Sequence, residues 1–266
     1  MNEPRRTERS GALAQHGVIF LSLIVFAKGT IAGGIFQDSI RRVDPLSATA
    51  TVSIRNTDGR IYIYGSDVPE LQIKAERRAF TKERLEAIKV DVVIDGESAR
   101  IETIYPPPPP AGSIFADRSG TVDYTIILPE TCSLDKVELG NGEVIIEGMR
   151  GPKIDVSLKR GLMTLADCFS ATKANLGQGG LAIRYGWWEA RTFSLSAQVD
   201  DGDLLAFLPL ETALHVDATS SEGHVENHFT GEKDAGNHLE TQFGPTGEVK
   251  FTLRTTRGNI KIGRSN

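Results

Sequence analysis

Three side chains, His224, Glu226 and His228, stand at positions i, i+2 and i+4, which on a β-strand is one face. Two imidazoles and a carboxylate can ligate a divalent cation such as zinc, and His238 and Glu240 follow a short way along the chain. The same alternation puts Val225 and Phe229 on the opposite face, so the three also read as the solvated side of a strand. They are the metal candidates of the chain, and neither a metal nor any other cofactor is assigned. Asp200, Asp201 and Asp203 surround Gly202. Without the nonapeptide period of calcium-binding β-helices they read as an acidic turn.

Tyr185, Trp187 and Trp188 form the single concentration of aromatic residues. Adjacent tryptophans on a strand point to opposite faces, one into the core and one to solvent. An exposed indole is suited to sugar stacking or a protein contact, so Trp187 and Trp188 are the interaction candidates. Gly177 to Ala182 matches the loose dinucleotide fingerprint GxGxxA, but Ile183-Arg-Tyr-Gly-Trp-Trp does not begin a helix, and a tight corner fits better. No GxSxG, HExxH or P-loop pattern occurs, and no catalytic residue is assigned. Cys132 and Cys168 lack a CxxC partner. They read either as a pair in an oxidising compartment or as two unrelated buried thiols.

What must position these residues is a repeat. Gly142, Gly161, Gly179, Gly202 and Gly223 recur at spacings of 19, 18, 23 and 21 residues, and segments around Gly59 and Gly258 fit the same frame. Seven before each glycine lie Val52, Asp135, Ile154, Thr172, Leu195, Val216 and Phe251. Five before lie Ile54, Val137, Val156, Ala174, Ala197, Ala218 and Leu253, and two after lie Ile61, Val144, Met163, Leu181, Leu204, Val225 and Ile260. Of these 21 positions only Asp135 and Thr172 are polar. Alternation of period two places the apolar residues on one face, and glycine admits positive φ at a corner. Each unit is a strand, a corner and a second strand. One unit cannot bury its apolar face, but a stack can. The fold class is therefore all-β, a parallel β-solenoid of roughly 20-residue repeats, with an antiparallel sandwich as the competing arrangement.

Ahead of the repeats the chain is less regular. Leu71 to Ala75 reads as a strand, Thr81 to Ala87 as a short helical turn capped by Thr81, and the segments about Asp95-Gly96 as a hairpin-like pair. Pro106 to Pro110 form a stiff surface loop. The organisation is an N-terminal β part over 44–135, with the Pro-rich loop at 105–113, and a repeat solenoid over 136–264. Together these read as one continuous domain, 44–264.

Residues 1–36 read as a signal peptide or N-terminal membrane anchor. Arg5, Arg6 and Arg9 precede the apolar run Gly17 to Ala27, Lys28 interrupts it, and Thr30-Ile-Ala32 offers small residues for cleavage. The expected location is extracytoplasmic, periplasm or cell surface, with membrane contact only through this segment. The chain carries 30 basic and 35 acidic residues, which argues against nucleic acid as a partner.

The units just described resemble the "putative adhesin" family of bacterial envelope proteins, a β-solenoid domain of unknown biochemical function. The likeness runs from about Ala48 to Ile262. It is carried by Val52 to Gly65, by Val122-Asp-Tyr-Thr-Ile-Ile-Leu-Pro129, and by the closing Leu253-Arg-Thr-Thr-Arg-Gly-Asn-Ile-Lys-Ile262. The proline run and Trp187-Trp188 depart from it. The resemblance implies a fold and a compartment. The expected function is a non-catalytic structural or interaction module of the envelope whose partner is a protein or a glycan. The alternatives are a polysaccharide-acting β-helix enzyme and a metal-binding protein using His224 and His228. An uncapped end of the stack would expose strand edges and allow self-association.

Overall fold

A computed structural model describes residues 25–27, 34–107, 117–231, 235–245 and 247–265. Most of the segment read as a signal or anchor, and most of the proline run, lie outside the described residues. Strands β1 (Val25–Ala27) and β2 (Phe36–Pro45) pair antiparallel, with Phe26 opposite Ile40. Among the described residues no helix is long and apolar enough to cross a membrane.

Strand β3 (Thr51–Ser66) is the first full unit, bent at Gly59. It is followed by β4 (Glu70–Ala79), helix α1 (Lys82–Ala87), β5 (Lys89–Ile94), β6 (Ser98–Ile104) and β7 (Thr121–Pro129). The Thr81 hydroxyl caps α1 by accepting the Arg84 N–H at 3.2 Å, and Leu85 is its buried residue. Then come the long units β8 (Ser133–Glu147), β9 (Lys153–Ala166) and β10 (Ala171–Arg184). Beyond them each unit divides at its corner, as β11 (Ser194–Asp201) with β12 (Leu204–Leu208), and β13 (Leu214–Glu222) with β14 (Val225–Asn227). Strand β15 (His238–Phe243) intervenes before the last unit, β16 (Lys250–Arg257) with β17 (Ile260–Arg264).

These strands form one sheet system. Its centre is parallel: β3 lies between β6 and β7 on one side and β8 on the other, and β8, β9, β10 and β11/β12 follow in turn. The corners coincide, with Gly59 opposite Gly142, Gly142 opposite Gly161 and Gly161 opposite Gly179. Both flanks are antiparallel. At the N-terminal end β4 pairs with β7, β2 with β4, and β5 with β6; at the C-terminal end β15 runs along β13. The sheet is thus mixed: the expected hairpin-like pair about Asp95-Gly96 is present as β5/β6, while the antiparallel strand β15 within the repeat region corrects the expectation of a parallel solenoid there. Stack order also departs from chain order. The closing unit β16/β17 sits between β11/β12 and β13/β14, so Gly258 falls between Gly202 and Gly223.

Inward residues of all units merge into one apolar core reaching from Leu46 to Ile262. The two polar exceptions of the repeat are explained locally. A bulge shifts the register so that Leu134, not Asp135, faces Val52, and Asp135 turns outward to bind Lys153 at 2.7 Å. Thr172 is buried, and its hydroxyl donates to the Ser170 carbonyl at 3.0 Å.

The N-terminal flank is tied down by Arg77, which is 9% exposed. Its guanidinium donates to Asp38 Oδ1 at 2.8 Å and Oδ2 at 2.5 Å, and to the Ile88 carbonyl that ends α1. At the other end Phe229 and Phe243 meet at 4.6 Å between ring centroids, beneath the cover that β15 places on β13. The outer edge of β13 is therefore covered rather than open.

Candidate functional site

Alternation holds through β14. Val225, Asn227 and Phe229 point inward, while His224, Glu226 and His228 point out. His228 Nε2 lies 2.8 Å from Glu226 Oε2, and Lys261 Nζ lies 3.8 Å from the same oxygen. His224 is exposed, and its backbone N–H donates to Asn259 Oδ1 at 3.0 Å. His238 and Glu240, on β15, turn to β13 instead: His238 Nδ1 is 3.0 Å from Thr219 Oγ1, and Glu240 is 3.2 Å from His215. Among the described residues no three His, Cys, Asp or Glu side chains converge on a point where a cation could sit. The chemistry of the cluster is that of polar side-chain contacts on a solvated face.

The three aspartates around Gly202 likewise serve different partners. Asp200 accepts from Gln198 at 3.1 Å, Asp201 pairs with Arg257 at 3.1 Å, and Asp203 accepts the Asn259 N–H at 2.7 Å. Gly177 to Ala182 lies within β10, with its corner at Gly179 (φ +136°), so no helix dipole stands there. Both cysteines are buried and unpaired. Their turns lie two strand spacings apart, with the Met149–Gly151 turn between them. Gly151 packs on the Cys132 carbonyl, and Phe169 N–H donates to the Met149 carbonyl at 2.9 Å. Two spacings of about 4.8 Å exceed the reach of a disulfide.

The aromatic group is where side chains converge. Trp187 and Trp188 are not on a strand, as the sequence suggested, but in the loop 185–193 that joins β10 to β11. The division of labour holds nevertheless. Trp188 packs on Tyr185 and Phe193, at 5.5 Å to each centroid, and against Phe251 at 6.3 Å. Tyr185 is buried, which pushes its hydroxyl well above the usual tyrosine range and keeps it a neutral donor; it binds the Cys168 carbonyl at 2.7 Å. These contacts anchor the loop in the core. Trp187 is 45% exposed. One side of it rests near Phe169 at 5.9 Å, and its Nε1–H donates to Glu189 Oε1 at 3.2 Å.

Arg150, from the neighbouring turn, completes the site. Its guanidinium lies 6.0 Å from the Trp187 ring, donates to Glu189 at 2.6 and 2.9 Å, and reaches Glu130 at 2.5 Å. Partial burial pushes the Glu189 carboxyl up, but hydrogen bonds from Arg150 and Trp187 outweigh it and hold the group below the ordinary glutamate range. Arg191 stands 3.7 Å from Glu189 and donates to the Arg150 carbonyl at 3.2 Å. Sequence reasoning found the tryptophans but missed Arg150 and Glu130, which the stacking of successive turns brings to the loop, and Glu189, which sits two residues from Trp187 in the same loop. The signal in the sequence was the spacing of 23 residues between Gly179 and Gly202, longer than its neighbours. A depression of about 510 Å3 lies along Arg60, Arg78, Asp123 and Glu143. A smaller one of about 120 Å3 near Arg55 and Arg100 is crossed by ion pairs, Arg55 with Glu138 at 2.9 Å and Arg100 with Asp91 at 2.7 Å.

Fold and site define an all-β repeat protein with a mixed sheet and an aromatic loop interrupting its stack. The model of the Toastrack DUF4097 family matches residues 113–263, more than half of the chain, and the chain belongs to that family. The match begins after β3, although β3 pairs in register with β8. No curated protein matches the sequence. Among solved structures the chain is similar to a "putative cell adhesion protein" from Clostridium sporogenes, at 13% identity over 85% of this chain and 99% of that one, with a TM-score of 0.47. It is also similar to a "putative lipid binding protein" from Parabacteroides distasonis (8% identity, 86% and 97% covered, TM-score 0.31). A "putative adhesin" from Bacteroides fragilis follows (10%, 84% and 96%, TM-score 0.28). At such identities and TM-scores, nothing these proteins bind passes to this chain.

Proposed function

We propose that this chain is a non-catalytic interaction module, exported to the cell envelope by its N-terminal segment. Its central stack is a β-solenoid that serves as a rigid support. The observation that carries the reading is the exposed indole of Trp187, held by a hydrogen bond and a buried aromatic anchor on a loop that lengthens the repeat. Rigid scaffolds commonly place binding residues on such loops, and tryptophan and arginine dominate the energetics of contact surfaces. The apolar run before Lys28 supports export.

Two measurements test this. Cell fractionation with mass spectrometry of the N-terminus should find the protein outside the cytoplasm; a cytoplasmic protein overturns the export claim. Sedimentation of purified full chain with isolated envelope fragments should show binding that Trp187→Ala weakens while the thermal midpoint stays unchanged. Binding indifferent to Trp187 overturns the interaction role of this loop.

A further inference from the structure

The loop 185–193 also indicates what it holds. Its extra length carries both tryptophans of the chain. The Trp187 ring is held by Glu189 on its Nε1–H, by Phe169 at 5.9 Å and by the Arg150 guanidinium at 6.0 Å, and the residue still keeps 45% of its surface in solvent. Fixed orientation removes most of the ordering cost of a contact. Arg150 and Glu189 touch the ring, and Glu130 and Arg191 are joined to them, so that two guanidiniums and two carboxylates are linked through ion pairs. Their charges sum to zero, while both donors and acceptors are present in fixed geometry.

A pyranose ring has the complementary chemistry. Its C–H face is apolar and stacks on an indole, and its hydroxyls both donate and accept. Both guanidiniums are already paired with these carboxylates, so a charged sugar would have to break an existing ion pair to find its own partner, whereas an uncharged ring need not. We infer that Trp187, with Arg150 and Glu189 beside it, binds the exposed pyranose face of a neutral glycan. This rests on the interaction role proposed above and names its ligand class.

The test uses intrinsic fluorescence of the full chain, because its only two tryptophans lie in this loop. The probes are cellohexaose, maltohexaose, mannohexaose and chitohexaose, with polygalacturonate and heparin as anionic comparators. A saturable emission change with at least one neutral probe is expected. By calorimetry Trp187→Ala should weaken that binding at least about tenfold, and Trp187→Phe should recover most of it. Binding that survives Trp187→Ala, binding confined to the anionic polymers, or no binding of any neutral probe overturns the assignment. If neutral probes fail while Trp187→Ala still abolishes sedimentation with envelope fragments, the glycan assignment falls and the interaction role stands. If neither responds to Trp187, both fall.

Discussion

Gly161 lies directly over Gly142 in the stack, so close that a Cβ on Gly161 would stand 1.8 Å from the Gly142 carbonyl oxygen. Its φ of +137° is open to glycine and strained for any other residue. The same approach recurs where Gly142 meets Gly59, at 1.7 Å, and where Gly202 meets Gly179, also at 1.7 Å. A column of glycines thus sets how tightly the units bend and how closely they stack.

Gly161→Ala should therefore destabilise the protein by at least about 3 kcal/mol, combining backbone strain with a contact against main chain that cannot move aside. Gly180→Ala, one residue past the next corner, should cost no more than about 0.5 kcal/mol, because the nearest atom is the flexible Leu162 Cδ2 at 3.3 Å and φ is ordinary. Urea unfolding of both variants distinguishes a column of required glycines from a run of incidental ones. Equal effects would show that the corner geometry does not matter.

The corners were legible in the sequence because glycine and the apolar alternation report local backbone shape, which each unit carries in its own residues. Stack order was not. The period of a strand fixes which face is buried and leaves its neighbour open, so nothing in Leu253 to Ile262 announced that this unit enters between those of Gly202 and Gly223. Of the antiparallel flanks, the β5/β6 pair was legible in its Asp95-Gly96 turn, but the pairings of β2 and β15 escaped for the same reason: both alternate like any strand, and only their partners set direction. Trp187 was visible by type. Arg150 and Glu130 were not, since their place beside it depends on the stacking of turns 20 and more residues apart.

Asp217 and Arg254 give a pH dependence with a defined sign. Arg254 donates to Asp217 Oδ1 at 2.9 Å and to Oδ2 at 2.5 Å, across β13 and β16. These bonds hold the Asp217 carboxyl below the ordinary aspartate value, with burial opposing them. A group depressed by folding contributes stability above its unfolded value, near 3.8, and loses it as pH falls through the lower folded value. At neutral pH Asp217→Asn should cost about 1 kcal/mol, since both side chains remain partly exposed. Below about pH 4 the wild type should lose stability more steeply than the variant, so the two unfolding curves converge in acid. Parallel curves would show that the pair does not titrate with folding.

Cys132 and Cys168 should be chemically silent in the folded protein. Burial pushes the Cys132 thiol to about 11 and the Cys168 thiol to about 12, so the reactive thiolate is scarce at neutral pH. A thiol reagent should label neither in the native state and both in denaturant, without prior reduction. Labelling that requires a reductant would show that the two are paired, contrary to their separation in the stack.

Phe243 tests whether the C-terminal cover protects a strand edge. It is 1% exposed, lies 4.6 Å from Phe229 between centroids, and ends the β15 strand that runs along β13. Phe243→Ala removes most of a buried ring, at a cost of about 3–5 kcal/mol if the whole fold depends on it. The contact is local to β15 and the turn after β14, so the loss should fall first on that cover, which would detach before the central stack melts. Once β15 leaves, the N–H and C=O groups of 214–219 that face it lose their partners, while those facing β16 keep theirs, and the freed edge becomes a template for another strand. Light scattering should then show concentration-dependent association of Phe243→Ala at temperatures below its main transition, while the wild type stays at constant mass. Hydrogen exchange should locate the early opening at 214–219 and 238–243, with 153–184 still protected. Uniform loss of protection across the chain would instead make β15 an integral part of a single cooperative stack.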